Sequence, residues 1–398
     1  MTVRTDDGFC PYGIFMPIFS ENHNFEEEIF MIFQRLLSNL SDWRKSTLNI
    51  KDYGYIPKEG QEDIGVVARI TDCHKNKFEF VCDCGSGLAH LKTSEYFIGD
   101  ELYPTTGDFL VLDYRTDGES VILKTLERRT CFKRVDPSSN GKGAQIAAAN
   151  FDFVFIMQSL NQNFNPSRLE RYLTLAWESG AVPVVILTKA DIAVDIQDKI
   201  REAERVCPGV EVIAVSSKTG YGMERLNSYL TAGKTIVFLG SSGVGKSSLV
   251  NALAGKDVMS VSEIRAADGR GRHTTTHRQL IMLDSGVMII DTPGMRELGM
   301  WDAAEGLTLS FADVERYFGE CRFRDCRHRS EPGCAVKAAI ARGELSRERW
   351  ESYLQLKKES SYSEGRDDYL HQKYQRNKKI AKDIKNLKKF GGLRNEKL

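Results

Sequence analysis

The sequence predicts an α/β protein whose central domain is a doubly wound parallel sheet, with a small β-barrel before it and a helical metal-binding region after it. Three observations predict this. Short strand-like runs separated by turn residues fill the stretch from Gly65 to about Arg134. Continuous apolar runs then alternate with helical segments through residues 148 to 298. A Cys/His cluster follows at residues 321 to 334, within a stretch of helical texture.

Composition allows this organisation. At 398 residues the chain is long enough for two or three domains with separate cores, and 41% hydrophobic with 28% charged residues is ordinary for a globular protein. No apolar run approaches the ~18 residues that span a bilayer. The start, "MTVRTDDGFCPYG", lacks the basic and apolar regions of a secretory signal. A cytoplasmic protein with no membrane partner is expected. The formal net charge of zero gives no argument for nucleic acid, whereas the Lys/Arg-rich end from His371 onward reads either as a frayed solvated helix or as a cationic arm.

In chain order, residues 1–62 form an N-terminal extension in which "NFEEEIFMIFQRLLSNL" has helical periodicity and an acidic first turn. Residues 63–135 carry five strand-like runs, "GVVARITDC", "KFEFVCDCG", "GLAHLKTS", "DFLVLDY" and "SVILKTL", which fit a small closed barrel of the OB kind. Cys82 and Cys84 would share one face of a strand. With Cys73 and His74 upstream they read as metal ligands or, lacking a matching second pair, as buried thiols. "VDPSSNGKGAQ", residues 135 to 145, is a polar linker. Residues 136–299 hold the parallel-sheet domain, whose strands "FDFVFIMQS", "VPVVILTK", "VEVIAVSS", "KTIVFLGSS" and "VMIIDTPG" are apolar enough to be buried on both faces. Residues 300–360 form the metal-binding domain and 361–398 a basic tail.

The chemistry lies at the ends of those strands. "GSSGVGKSS", Gly240, Ser241, Ser242, Gly243, Val244, Gly245, Lys246, Ser247 and Ser248, follows a strand and opens a helix. Its glycines let backbone N–H groups converge on phosphate oxygens at the positive helix end. Lys246 would reach the outer phosphates and Ser247 would ligand Mg²⁺. In "VMIIDTPGM", Asp291 delivers a carboxylate to the Mg²⁺ shell and Gly294 offers its N–H to a γ-phosphate.

Two further loops would read the base. Asp191 of "TKAD" can accept from guanine N1–H and the exocyclic amine, a donor pair adenine lacks, and Lys189 would lay its stem along the base. In "SSKTG", the N–H of Ser217 would reach guanine O6 and Lys218 would stack. These loops precede the phosphate loop, whereas in ordinary GTPases they follow it. A parallel sheet keeps the same site when its termini are moved, so the order predicts a circularly permuted P-loop GTPase domain.

Cys321-x₄-Cys326-x-His328-x₅-Cys334 supplies three thiolates and one imidazole, a complete tetrahedral set for one structural Zn²⁺ with no position open for a catalytic water. Arg322, Arg324, Arg327 and Arg329 interleave the ligands, so the loop would present cations to an RNA backbone.

The permuted order, the upstream barrel and the downstream Cys/His cluster together resemble the bacterial family of GTPases dependent on the small ribosomal subunit (RsgA, also called YjeQ), over roughly residues 63 to 360. The resemblance implies a factor in late maturation of the 30S subunit that binds GTP and GDP, contacts 16S rRNA and has its hydrolysis stimulated by that particle. The family often has Asn at the position of Thr188, whose hydroxyl loses the amide contacts.

Between phosphate loop and "DTPG" lies "DGRGRHTTTH", residues 268 to 277, a mobile switch loop. The resemblance favours Thr275 as its Mg²⁺ ligand, with Thr274 and Thr276 as competitors. Met295 stands where a water-orienting Gln is common, and a thioether cannot orient water. His273 is then the local candidate for that role, or a loop histidine without one. Met295 also leaves open a non-catalytic RNA assembly module with GTP as a structural ligand. Asp191 disfavours an ATP-dependent enzyme.

Overall fold

The computed structural model describes residues 48–57, 65–74, 76–92, 103–135, 144–161, 164–259, 278–291 and 303–360. All fall in one compact unit that begins at Leu48. The helix expected near residue 30, the switch loop with His273 and Thr275, Gly294, Met295 and the basic tail lie outside the described residues.

Strands β1 (Val66–His74), β2 (Lys77–Cys82), β3 (Gly85–Leu91), β4 (Phe109–Asp113) and β5 (Ser120–Thr125) pair in the order β1-β2-β3-β5-β4, and β4 pairs back onto β1 to close the barrel. All pairs are antiparallel except β3 with β5. Alternation along β2 turns Phe78, Phe80 and Cys82 inward, where they pack with Ile70, Leu110, Leu112 and Ile122. The expected Cys82/Cys84 face does not form. The strand ends at Cys82, and Cys84 is exposed in the turn to β3, so strand alternation no longer applies. Cys73 is a half-buried thiol pushed up to about 12 by burial, and the one metal-competent donor cluster among the described residues lies elsewhere.

Residues 131–135 leave the barrel. β6 (Cys131–Val135) pairs antiparallel with β7 (Ala144–Ala149) as a separate two-stranded sheet. The polar stretch expected to be a linker connects these two strands, since Gly/Ser composition suits a hairpin connection as well as a linker.

The central sheet runs β10 (Val212–Ala214), β9 (Val182–Thr188), β8 (Phe153–Ser159), β11 (Thr235–Gly240), β13 (Met288–Asp291), all parallel, with β12 (Gln279–Met282) antiparallel on β13. Both faces are buried. On β8, Val154 and Ile156 enter one core layer while Phe155 and Met157 enter the other. Helix α1 (Pro166–Glu178) starts where Asn165 caps it, its Oδ1 accepting from Arg168 N–H at 3.0 Å, with Pro166 fixing the first turn. Helices α2 (Ile196–Val206) and α3 (Lys246–Ala254) complete the alternation. The chain runs outward through β8, β9 and β10, then returns to the other side of β8 as β11. The strand order therefore reverses between β8 and β11, and α/β sheets bind ligands at such a reversal.

Two buried arginines join the three regions. Arg69 of β1 is fully buried and donates to Tyr53 O (2.6 Å), Asn150 O (2.7 Å), Gly107 O (3.2 Å) and Thr235 Oγ1 on β11 (3.0 Å). It ties the barrel to the sheet beside the β1–β12 pairing of Asp72 with Gln279. The metal-binding region contains α4 (Ala304–Ser310), α5 (Ala312–Glu315), α6 (Ala335–Arg342) and α7, residues 347–360. Arg349 of α7 donates to Glu170 of α1 (2.7 Å), Asp313 (2.8 Å), Ser310 O (2.6 Å) and Val206 O (3.0 Å). α4 lies so close to α1 that a Cβ on Gly306 would sit 2.2 Å from Thr174 O, so only glycine fits.

Candidate functional site

At the C-terminal edge of the parallel sheet, β11 ends at Gly240 and the phosphate loop turns into α3. The turn needs glycine. Gly243 has φ 69° and Gly245, the N-cap of α3, has φ 100°. This leaves the first N–H groups of α3 unpaired within the helix and directed outward, which suits anionic oxygens. Lys246 Nζ donates to Asp291 Oδ1 at 2.5 Å, with the carboxylate 5% exposed at the end of β13. The structure thus brings the expected phosphate lysine and the expected Mg²⁺ carboxylate together, with Ser247 one residue further on.

The loop after β9 is tied to the phosphate loop by side chains. Thr188 Oγ1 donates to Val244 O at 2.5 Å, and Lys189 Nζ donates to Gly243 O at 2.8 Å. The Thr188 hydroxyl thus bonds the phosphate loop directly. Lys189 adopts a left-handed backbone (φ 61°), which turns the chain so that Asp191 follows in an exposed single turn. Asp191 Oδ1 accepts from Ser216 Oγ at 2.8 Å, and Ala190 N donates to Val215 O at 3.1 Å. Both loops expected to read the base are thereby locked to each other. Ser217 and Lys218 are exposed and line a shallow groove of about 640 Å³ together with Ser248 and Asn251 of α3.

Ser216 is not among the residues expected from the sequence. It is 1% exposed, and its hydroxyl fixes the Asp191 carboxylate. Its signal is a small hydroxyl at the second position after β10, one residue before Ser217.

The second centre is the loop from residue 321 to 334. The ligand atoms of Cys321, Cys326, His328 and Cys334 all lie within 4.8 Å of one another. His328 Nδ1 is 3.5 Å from both Cys321 Sγ and Cys334 Sγ. That matches the edge of about 3.5 Å between a sulfur ~2.3 Å and a nitrogen ~2.0 Å from one tetrahedral Zn²⁺. Ala335 N–H points at Cys321 Sγ (3.4 Å), a donor suited to a thiolate. Burial lowers the His328 pKa and so favours the neutral imidazole that can ligate. The residues present fit one structural Zn²⁺.

Phe318 stacks on the His328 ring (centroids 4.5 Å) and Trp350 meets it edge-on (5.7 Å). The Glu331 carboxylate accepts from the N–H groups of Arg327, Arg329 and Ser330, and its own backbone N–H together with these holds it down at about 2. Of the loop's two acids, Glu331 is occupied by backbone and Asp325 is exposed beside Arg324, while the guanidinium groups of Arg324, Arg327 and Arg329 enter no ion pair among the described residues.

A parallel sheet with its phosphate loop at the strand-order reversal and the loops expected to read the base earlier in the chain defines a circularly permuted P-loop GTPase. Residues 125–301 match the model of the RsgA GTPase family. The chain is 42% identical over 317 residues to the small ribosomal subunit biogenesis GTPase RsgA 1 of Listeria innocua, covering 79% of this chain and 90% of that one. It is 38% identical to the small ribosomal subunit biogenesis GTPase RsgA of Methanosarcina acetivorans, covering 82% of this chain and 89% of that one. Among solved structures it resembles YjeQ from Thermotoga maritima (TM-score 0.55, 28% identity, 73% of this chain and 96% of that one) and the circularly permuted GTPase YloQ (0.53, 26%, 75% and 96%). The chain belongs to the RsgA GTPase family.

Proposed function

We propose that this protein hydrolyses GTP in late biogenesis of the small ribosomal subunit, with turnover stimulated by the 30S particle and 16S rRNA as its contact. One observation carries the guanine reading. Asp191 is held by Ser216 in the same loop pair that Thr188 and Lys189 tie to the phosphate loop. The names of its relatives support the ribosomal setting. No helix among the described residues is long and apolar enough to cross a membrane. We assign the protein to the cytoplasm, as a monomer.

In this reading Asp191 accepts from guanine, and Ser217 N–H and Lys218 complete the base contacts. Residues 240–248 bind the phosphates through their N–H groups, and Lys246 turns from Asp291 toward the outer phosphates. Ser247, Asp291 and Thr275 would hold Mg²⁺, which when bound offsets charge on the phosphate oxygens. Gly294 N–H faces the γ-phosphate. His273 orients the attacking water, because Met295 cannot.

GTP turnover measured with and without purified 30S particles tests this. The expected result is slow intrinsic hydrolysis and strong stimulation, lost in His273→Ala with GTP binding retained. Absence of stimulation in the parent protein would overturn the ribosomal reading. Full stimulated turnover in His273→Ala would move the water-orienting role to another group.

A further inference from the structure

Beside the zinc loop lies a cavity of about 500 Å³ that shares no lining residue with the phosphate and base loops. Its walls are of two kinds. Phe318 and Trp350 are half-buried aromatic rings set at 87° with centroids 6.3 Å apart, and Trp350 is backed by Tyr353 stacked beneath it at 5.5 Å. Around them stand Arg324, Arg327, Arg329 and Lys357. The arginines are exposed and outnumber the loop's two acids, of which Glu331 is engaged by three backbone amides and Asp325 is exposed.

We propose that this cavity binds one unstacked nucleotide of single-stranded RNA, its base against Trp350 or Phe318 and its phosphates on the arginines. Flat apolar walls ringed by cations suit a base with its attached phosphate, the combination by which proteins grip single-stranded nucleic acid. A duplex keeps its bases stacked and paired and offers the aromatic walls nothing. The volume lies within the ~300–1,000 Å³ typical of small-ligand pockets. Zinc shapes the site, because His328 belongs to both the ligand set and the cavity wall. This inference rests on the RNA-contact reading of the zinc loop but adds a base-binding pocket to what backbone docking alone requires.

The test uses full-length, zinc-loaded protein and a fluorescent hexauridylate, with an RNA hairpin stem and hexaglutamate as competitors at fixed salt. We expect the hexamer to photocrosslink to Trp350 or Phe318. Arg327→Ala/Arg329→Ala should weaken hexamer binding at least tenfold, and Trp350→Leu, which keeps apolar packing but removes the stacking face, by about tenfold. Zinc content reports folding. Should Trp350→Leu lose its zinc, the exposed arginine pair decides the matter alone. The proposal is overturned if the stem competes as well as the hexamer, if hexaglutamate binds this surface as tightly, or if the arginine variant binds the hexamer unchanged. Binding of 30S particles by the parent protein is measured in parallel. If it persists while the hexamer fails, the pocket falls and the ribosomal reading stands.

Discussion

The nucleotide edge and the zinc loop are built in opposite ways. The phosphate loop is bracketed by β11 and α3, and its neighbours hold it through Thr188–Val244 and Lys189–Gly243 bonds that need no ligand. The loop from 321 to 334 contains no helix or strand, and four side chains from it converge on one point. The first geometry comes from the sheet, whereas the second needs an ion to bring three thiols together. One site should therefore survive conditions that destroy the other.

Metal removal gives the largest contrast. A structural Zn²⁺ supplies on the order of 10 kcal/mol in small zinc modules, so Cys326→Ser or strong chelation should disorder residues 321–334. Amide exchange in that loop should rise sharply and 30S binding should fall, while GDP affinity stays within about twofold. Equal 30S binding by metal-free protein would show that the zinc loop does not form the docking surface.

The two regions are also joined, and Arg349 is the joint. Its guanidinium is 6% exposed and bonds Glu170 of α1, which is 3% exposed. Arg349→Ala would strand a buried carboxylate, a change that typically costs about 3–5 kcal/mol. Urea unfolding at neutral pH measures this directly. A loss below about 1 kcal/mol would mean that α7 is held by packing alone and that the zinc region is independent of the sheet.

What the sequence made legible follows the same division between local and distant. The five barrel strands, the parallel strands, the phosphate loop and the Cys₃His set are each written within a short window, by period, glycine spacing or ligand spacing. Arg69 reaches Thr235 across 166 positions and Arg349 reaches Glu170 across 179, and no local pattern marks either pair. β12 was missed because "RQLIML" is short and lies beside the switch loop. The β6–β7 pairing was missed because its connection reads as a linker. At the site, Ser216 was overlooked since the base was expected to meet Ser217, and a positioning hydroxyl has no motif of its own.

Base recognition comes next in size. Asp191→Asn replaces one acceptor oxygen with a donor that faces guanine donors, and a hydrogen bond to a charged group contributes about 1.5–3 kcal/mol. GDP affinity by calorimetry should drop roughly 10- to 150-fold, while the zinc content is unchanged. Parent-like GDP affinity would remove Asp191 from the base site.

The smallest expected effect probes how firmly the nucleotide edge is pre-formed. Thr188 Oγ1 lies 2.5 Å from Val244 O and 3.3 Å from Gln158 O, and a single hydroxyl proton serves the nearer. Thr188→Val keeps the β-branched shape and its packing at 5% exposure but deletes that proton. Val244 O then loses its side-chain partner, a loss of about 1 kcal/mol by the usual worth of one neutral hydrogen bond. Lys189–Gly243 remains as a second tie, so the phosphate loop should loosen without collapsing. GDP affinity should fall by about fivefold, with a faster dissociation rate and no change in the preference for guanine over adenine. Thr188→Ser, which restores the hydroxyl, should recover most of the loss. A Val variant as tight as the parent would mean that Lys189 and the glycine turns alone hold the loop.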